Sequence, residues 1–276
     1  MDLKILKETP PWDWPDGAGD MFLKILSDGQ AEPSDRILAV ELAGNFTVIN
    51  DELVDALICI LQDRQESEEL RGKAAISLGP VIDYTDMDGF DDPDDVPITE
   101  ATFRNIQESL HMLYRDAAVP KNVRRRILEA SVRAPRDWHQ DAIRAAYASD
   151  DEDWRLTAVF SMRWVGGFDT QILEALESNK PDIHYQAVCA AGNWEVDAAW
   201  EHVSKLIGAQ GTDKPLLLAA IDAVANIRPK EAGVILVDLT DSDDEDIVGA
   251  AHEAMGMAEG PWFDEFDEDD DDWYIH

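Results

Sequence analysis

The sequence predicts an all-α fold, an α-solenoid (superhelix) of about seven stacked helix pairs. A short motif recurs along the chain: an apolar residue, often an arginine, then small residues along one face. Its copies return at intervals of 29 to 35 residues, with one longer interval of 53. The segments between copies carry apolar residues at the i, i+3, i+4, i+7 spacing of a helix with one buried stripe.

The first clear copy is Asp35-Arg36-Ile37-Leu38-Ala39-Val40-Glu41-Leu42-Ala43-Gly44, and the second is Leu70-Arg71-Gly72-Lys73-Ala74-Ala75-Ile76-Ser77-Leu78-Gly79. Val123-Arg124 opens the third, Trp154-Arg155 the fourth and Ile183-His184 the fifth. Looser copies begin at Leu216-Leu217 and Ile247-Val248. Aligned on the fifth position they stand at 39, 74, 127, 158, 187, 220 and 251, so the 53-residue interval holds an insertion. Between copies, Leu53, Ala56, Leu57, Ile60 and Leu61 form one stripe, Phe103, Ile106, Leu110 and Leu113 another, and Ile172, Leu173 and Leu176 a shorter one. Asn50-Asp51-Glu52 and Thr99-Glu100 supply N-terminal caps, and Pro229 suits a first helical position. Gly44, Gly79, Gly192 and Gly256 are expected to close the motif helices in a left-handed conformation. Val234 to Leu239 could pass for a buried strand, but the repeat phase asks for a helix.

This pattern resembles the short HEAT repeats of the phycobilin-lyase-like group over roughly residues 20 to 258. The resemblance implies that the arginine helix lines a concave surface and that Arg36, Arg71, Arg124 and Arg155 brace the turns. At 184, 217 and 248 the chain has His, Leu and Val, so that brace is expected to lapse there. The resemblance also raises three enzyme roles, one of which, that of the alkylpurine glycosylases, needs a cationic concave face for DNA that a net charge of −36 argues against. Deoxyhypusine hydroxylases, HEAT-like as well, hold two irons with several His-Glu pairs, and this chain has only His252-Glu253. Lyase subunits that attach bilins share the repeat but leave no transferable motif.

The expected organisation is a single solenoid over 1–260, an acidic loop insertion over 83–97 and an acidic-aromatic tail over 261–276. In the loop, Asp86, Asp88 and Gly89 echo part of a calcium loop, but Tyr84 stands where its first oxygen ligand belongs. The tail sets five aromatics among acids, and it could dock on a basic groove.

The chain holds 59 acidic and 23 basic residues, a formal net charge of −36. Such a field repels nucleic acid and anionic membranes, so neither is expected as a partner. At 45% hydrophobic residues the chain has enough apolar side chains for a core. No segment is long and apolar enough to span a membrane, and a cytoplasmic protein is expected. Cys59 and Cys189 lie in apolar helical segments, so two buried thiols are expected.

No phosphate loop, dinucleotide fingerprint, nucleophile elbow, His-Glu-x-x-His pair or Cys-x-x-Cys is present. The expectation is therefore a non-enzymatic scaffold with no catalytic residue, metal or cofactor. Its candidate site is a basic, aromatic-rich island: Arg125, Arg126, Arg133, Arg136, Trp138 and His139, followed by Arg163 and Trp164. Guanidinium groups suit bidentate recognition of carboxylates, so the site is expected to take an acidic segment of a protein partner. Successive residues of a helix turn by about 100°, so Arg124, Arg125 and Arg126 cannot all face one pocket, and some must brace the repeats. Two alternatives stand beside this one: an accessory subunit of an enzyme such as a bilin lyase, and an acidic surface that grips a basic partner.

Overall fold

The computed structural model describes residues 2–90, 96–209 and 211–259, and all regular structure among them is helical. The tail over 261–276 and the Asp91–Asp95 stretch of the acidic loop lie outside the described residues. Contacts divide the chain into two compact units, Met1–Gly167 and Phe168–His276.

In the first unit, α1 (Leu3–Glu8) precedes α2 (Ala18–Ser27) paired with α3 (Pro33–Ala43), then α4 (Asp51–Gln62) with α5 (Glu68–Ser77). The extra helix α6 (Gly79–Asp88) comes next, then α7 (Glu100–Arg115) with α8 (Lys121–Ser131) and α9 (Trp138–Tyr147) with α10 (Glu152–Ser161). The second unit pairs α11 (Asp169–Leu176) with α12 (Pro181–Asn193), α13 (Trp200–Gly208) with α14 (Lys214–Ile227), and α15 (Pro229–Leu236) with α16 (Glu245–Glu259). Among the described residues that makes seven pairs, and all seven motif copies fall on the second helix of a pair. Within each unit the second helices stack on one another: α3, α5, α8 and α10 in the first, α12, α14 and α16 in the second. Each unit is an all-α solenoid of HEAT-like helix pairs.

Local chemistry sets the helix ends. Asn50 accepts from Leu53 N, Ser67 from Leu70 N, Thr99 from Thr102 N and Asp213 from Leu216 N. Each of these bonds satisfies an N–H that the helix itself leaves open. Leu53, Leu57, Ile60 and Leu61 of α4 are buried, as are Phe103, Ile106 and Leu110 of α7. Each such side chain contributes about 1.5–3 kcal/mol on burial. Cys189 is buried but Cys59 is exposed, because it shares the solvent face of α4 with Glu52 and Asp55. The segment after Val234 is helical: α15 runs to Leu236 and a 3-10 turn continues to Asp241.

The motif glycines correct the sequence expectation. None has a positive φ; among the described residues the glycines that do are Gly17, Gly89, Gly167 and Gly211. A Cβ on Gly44 would collide with Ser77 O, and one on Gly192 would sit 2.7 Å from Ala223 Cα. These glycines let successive second helices touch backbone to backbone. Gly256, on the last described helix, would meet nothing within 4 Å.

The acidic loop also starts later than expected. Pro80 sits in the first turn of α6, and the helix carries Asp83, Asp86 and Asp88 before Gly89, with a φ of 72°, ends it.

Three of the four arginines expected to brace the turns share one geometry. Arg71 donates from Nε to Leu61 O at 2.9 Å, Arg124 to Tyr114 O at 2.8 Å, and Arg36 from its guanidinium to Leu26 O at 3.5 Å. Each acceptor lies ten residues earlier, in the last turn of the preceding helix, where carbonyls lack helical partners. Arg155 instead lies over the Tyr147 ring, 5.2 Å from its centroid.

Candidate functional site

The stacked second helices of the first unit bound a groove of about 820 Å³. The spacing of the repeat brings Glu41 from α3, Lys73 and Ile76 from α5, Arg126 and Glu129 from α8 and Phe160 from α10 to its walls. Glu68, Glu69, Ser77, Asn122 and Arg133 complete the polar lining. Four carboxylates thus face three basic groups, with Ile76 and Phe160 as the apolar surface.

The charges are held in place before any ligand arrives. Burial by itself would push the Glu41 carboxyl up, but Lys73, which donates to it, and Lys7 at 3.5 Å hold it below its ordinary value. Under the groove, Arg125 donates from Nε to Thr157 Oγ1 at 3.0 Å, and Thr157 donates to Glu129 Oε1 at 2.6 Å. Arg126 reaches the other Glu129 oxygen at 2.5 Å. Glu129 is 5% exposed, and a buried carboxylate needs partners of this kind.

The eight residues of the predicted island separate into three groups. Arg126, Arg133, Arg163 and Trp164 gather at the groove end. The Trp164 ring lies 4.9 Å from the Arg133 guanidinium, 5.0 Å from that of Arg163 and 4.8 Å from the Phe160 ring. Arg133 also pairs with Asp83 of α6 at 3.2 Å. Arg136 and Trp138 turn instead to the first-helix layer. Arg136 donates to Gln107 of α7 at 2.7 Å, and Trp138 stacks on His111 at 4.8 Å, with Tyr114 at 5.1 Å.

Arg125 and His139 form the third group and are buried, so neither presents a surface. His139 Nδ1 accepts the Arg136 N–H at 2.8 Å, and its Nε2 lies 3.0 Å from Ser131 Oγ. Burial above all, with the charges of His111 and Arg136 adding to it, lowers the imidazole pKa to about 4 against the pull of its backbone bond.

One recurrent polar device was missed. Ser-Asp-Asp-Glu-Asp occurs at 149–153 and again at 242–246, each time 28 residues after a lysine. Lys121 donates to Asp151 at 2.8 Å and Asp153 at 3.1 Å, and Lys214 donates to Asp244 at 2.8 Å and Asp246 at 2.6 Å. Each clamp ties the start of one second helix to the start of the next. The repeated pentapeptide was the available signal.

The sequence matches no family model and no curated protein. Among solved structures, an engineered protein is similar with a TM-score of 0.44 and 17% identity, over 76% of this chain and 97% of the other. Human deoxyhypusine hydroxylase, in complex with glycerol, is similar with a TM-score of 0.40 and 15% identity, over 90% of this chain and 87% of the other. Likenesses this distant carry no argument about activity. They do correct one expectation: one of these neighbours is an enzyme, so the description of this chain as non-enzymatic is withdrawn. The two-iron site raised by the resemblance does not fit these residues. His252 and Glu253 are exposed on α16, and among the described residues no three His, Cys, Asp or Glu side chains converge to hold a metal. No described helix is long and apolar enough to cross a membrane.

Proposed function

We propose that the groove on α3, α5, α8 and α10 binds a segment of a partner protein. The observation that carries this reading is the groove itself: about 820 Å³, lined by fixed charges of both signs around Ile76 and Phe160. Because its charges nearly balance, it suits a mixed-charge segment better than a purely acidic one. Carboxylates of the segment would meet Arg126 and Arg133, a basic residue would face Glu68 and Glu69, and an apolar side chain would cover Ile76. Trp164, clasped between two guanidinium groups, stiffens that end at modest entropic cost. The finer kinship to the phycobilin-lyase-like group rests on the arginine, alanine and glycine pattern alone.

Random-peptide display on the full chain tests the reading. Enriched peptides should carry both charges around an apolar residue. Their binding should fall at least about tenfold with Ile76→Asp or Glu69→Lys, both exposed positions. Peptides that bind these variants as well as the parent would sink the reading.

A further inference from the structure

The second unit holds a side-chain pair that neither the repeat nor the groove requires. His184, on α12, occupies the motif position filled by arginine in α3, α5, α8 and α10. His202 projects from α13 to meet it. Their Nε2 atoms are 2.9 Å apart, their ring centroids 5.1 Å apart, and their planes cross at 89°. Nitrogens this close and nearly head-on share one proton. His202 Nδ1 faces Glu177 Oε1 at 3.3 Å, just past the end of α11. A neutral His202 that donates there keeps its Nε2 lone pair for His184, which then supplies the shared proton.

We infer that His184 and His202 form a two-imidazole site for a divalent transition-metal ion, with Glu177 as the outer carboxylate that orients His202. A carboxylate behind a ligating histidine is the usual way to fix its tautomer and raise its basicity. The ring placement suits an ion as well as a proton. A tetrahedral zinc at about 2.0–2.1 Å from each nitrogen spreads the two nitrogens to roughly 3.3 Å and the ring centroids to roughly 5.2 Å. The centroids already stand at that separation, so a tilt of the two rings opens the gap.

The proton balance is simple. The ion takes both Nε2 lone pairs, and the shared proton moves to His184 Nδ1, leaving two neutral imidazoles. No third protein ligand converges among the described residues, so water or a small ligand completes the coordination. Room exists for it: His184 also lines a recess of about 600 Å³ with Asp182, Tyr185 and Asp213. The net charge of −36 raises the local concentration of cations around the whole molecule.

The test uses the full chain, Zn2+ as the probe, and a large excess of Mg2+ to occupy surface carboxylates. Imidazole NMR resonances and competition with a chromophoric chelator report binding. One zinc should bind, moving the His184 and His202 resonances together and leaving those of His139 and His252 in place. His184→Gln or His202→Gln should weaken binding at least about tenfold, Glu177→Gln about tenfold, and His252→Gln not at all. Zinc that leaves the two resonances unmoved, or binds the pair's variants like the parent, overturns the inference. The resonance shifts in the unaltered chain decide the matter even where a variant fails to fold.

Discussion

In the first unit, α5 is tied to α4 through Arg71, which is 4% exposed and spends its Nε–H on the Leu61 carbonyl. At the same motif position in the second unit, α14 carries Leu217 and α16 carries Val248, both half-buried, and nothing there can reach a carbonyl. The first unit also sinks Arg125, Thr157 and Glu129 into one hydrogen-bonded group. The second has instead an exposed Arg228–Asp197 pair at 2.7 Å and the two facing histidines. Yet α12, α14 and α16 stack as α3, α5 and α8 do. What the units share is small-residue contact between second helices and a lysine clamp, so packing holds the stack, and the buried arginines are a local elaboration of it.

The largest effect that could break this comparison lies at the shared contacts. Gly44→Ala and Gly192→Ala place a methyl against backbone of the next helix, and each should cost about 3 kcal/mol, read as a lower urea midpoint. Gly256→Ala, in open space inside a helix, should gain about 0.5–1 kcal/mol. A neutral Gly44→Ala would mean that close approach is not what holds the stack.

Comparable in size is a pH effect in the first unit's interior. The folded pKa of His139 is about 4, below its ordinary 6.5, so the unfolded chain binds the extra proton between those values. Its stabilisation is therefore full above pH 6.5 and lost as the pH falls toward 4, about 3 kcal/mol in all. His139→Gln should flatten the stability profile across that window in thermal melts.

Smaller again, Arg71→Met leaves Leu61 O without its buried donor and should cost about 2 kcal/mol. Leu217→Met, at the same place in the second unit, should cost less than about 1 kcal/mol. Equal losses would contradict the division of labour between the units. The smallest change is expected from Lys121→Met and Lys214→Met, which remove exposed clamps. Their effects should match in the two units and vanish at high salt.

Much of the fold was legible in the chain. The caps at Asn50 and Thr99, the stripes of α4 and α7, and the phase of all seven motif copies follow from local spacing, and the structure places each as expected. The glycine reading failed because Gly44 and Gly192 are fixed by a neighbouring helix about 30 residues away, which no local pattern contains. The candidate site was legible only in part. Its basic content was visible, but the carboxylates that balance it, Glu41, Glu68 and Glu69, come from earlier repeats.

By itself, then, the sequence determined the helices and which of them carry the repeated motif, because a buried stripe repeats every 3.6 residues wherever a helix lies on a core. Tertiary structure alone decided how each polar side chain is used. Arg125 and Arg126 are neighbours in sequence, yet one is buried against Thr157 while the other faces the groove. Likewise, His184 and His202 meet across 18 residues because α12 and α13 bring them together. The physical reason is common to both cases: a helix turns each residue about 100° from the last, and only the neighbouring helices settle whether that direction meets water, a charge or another ring.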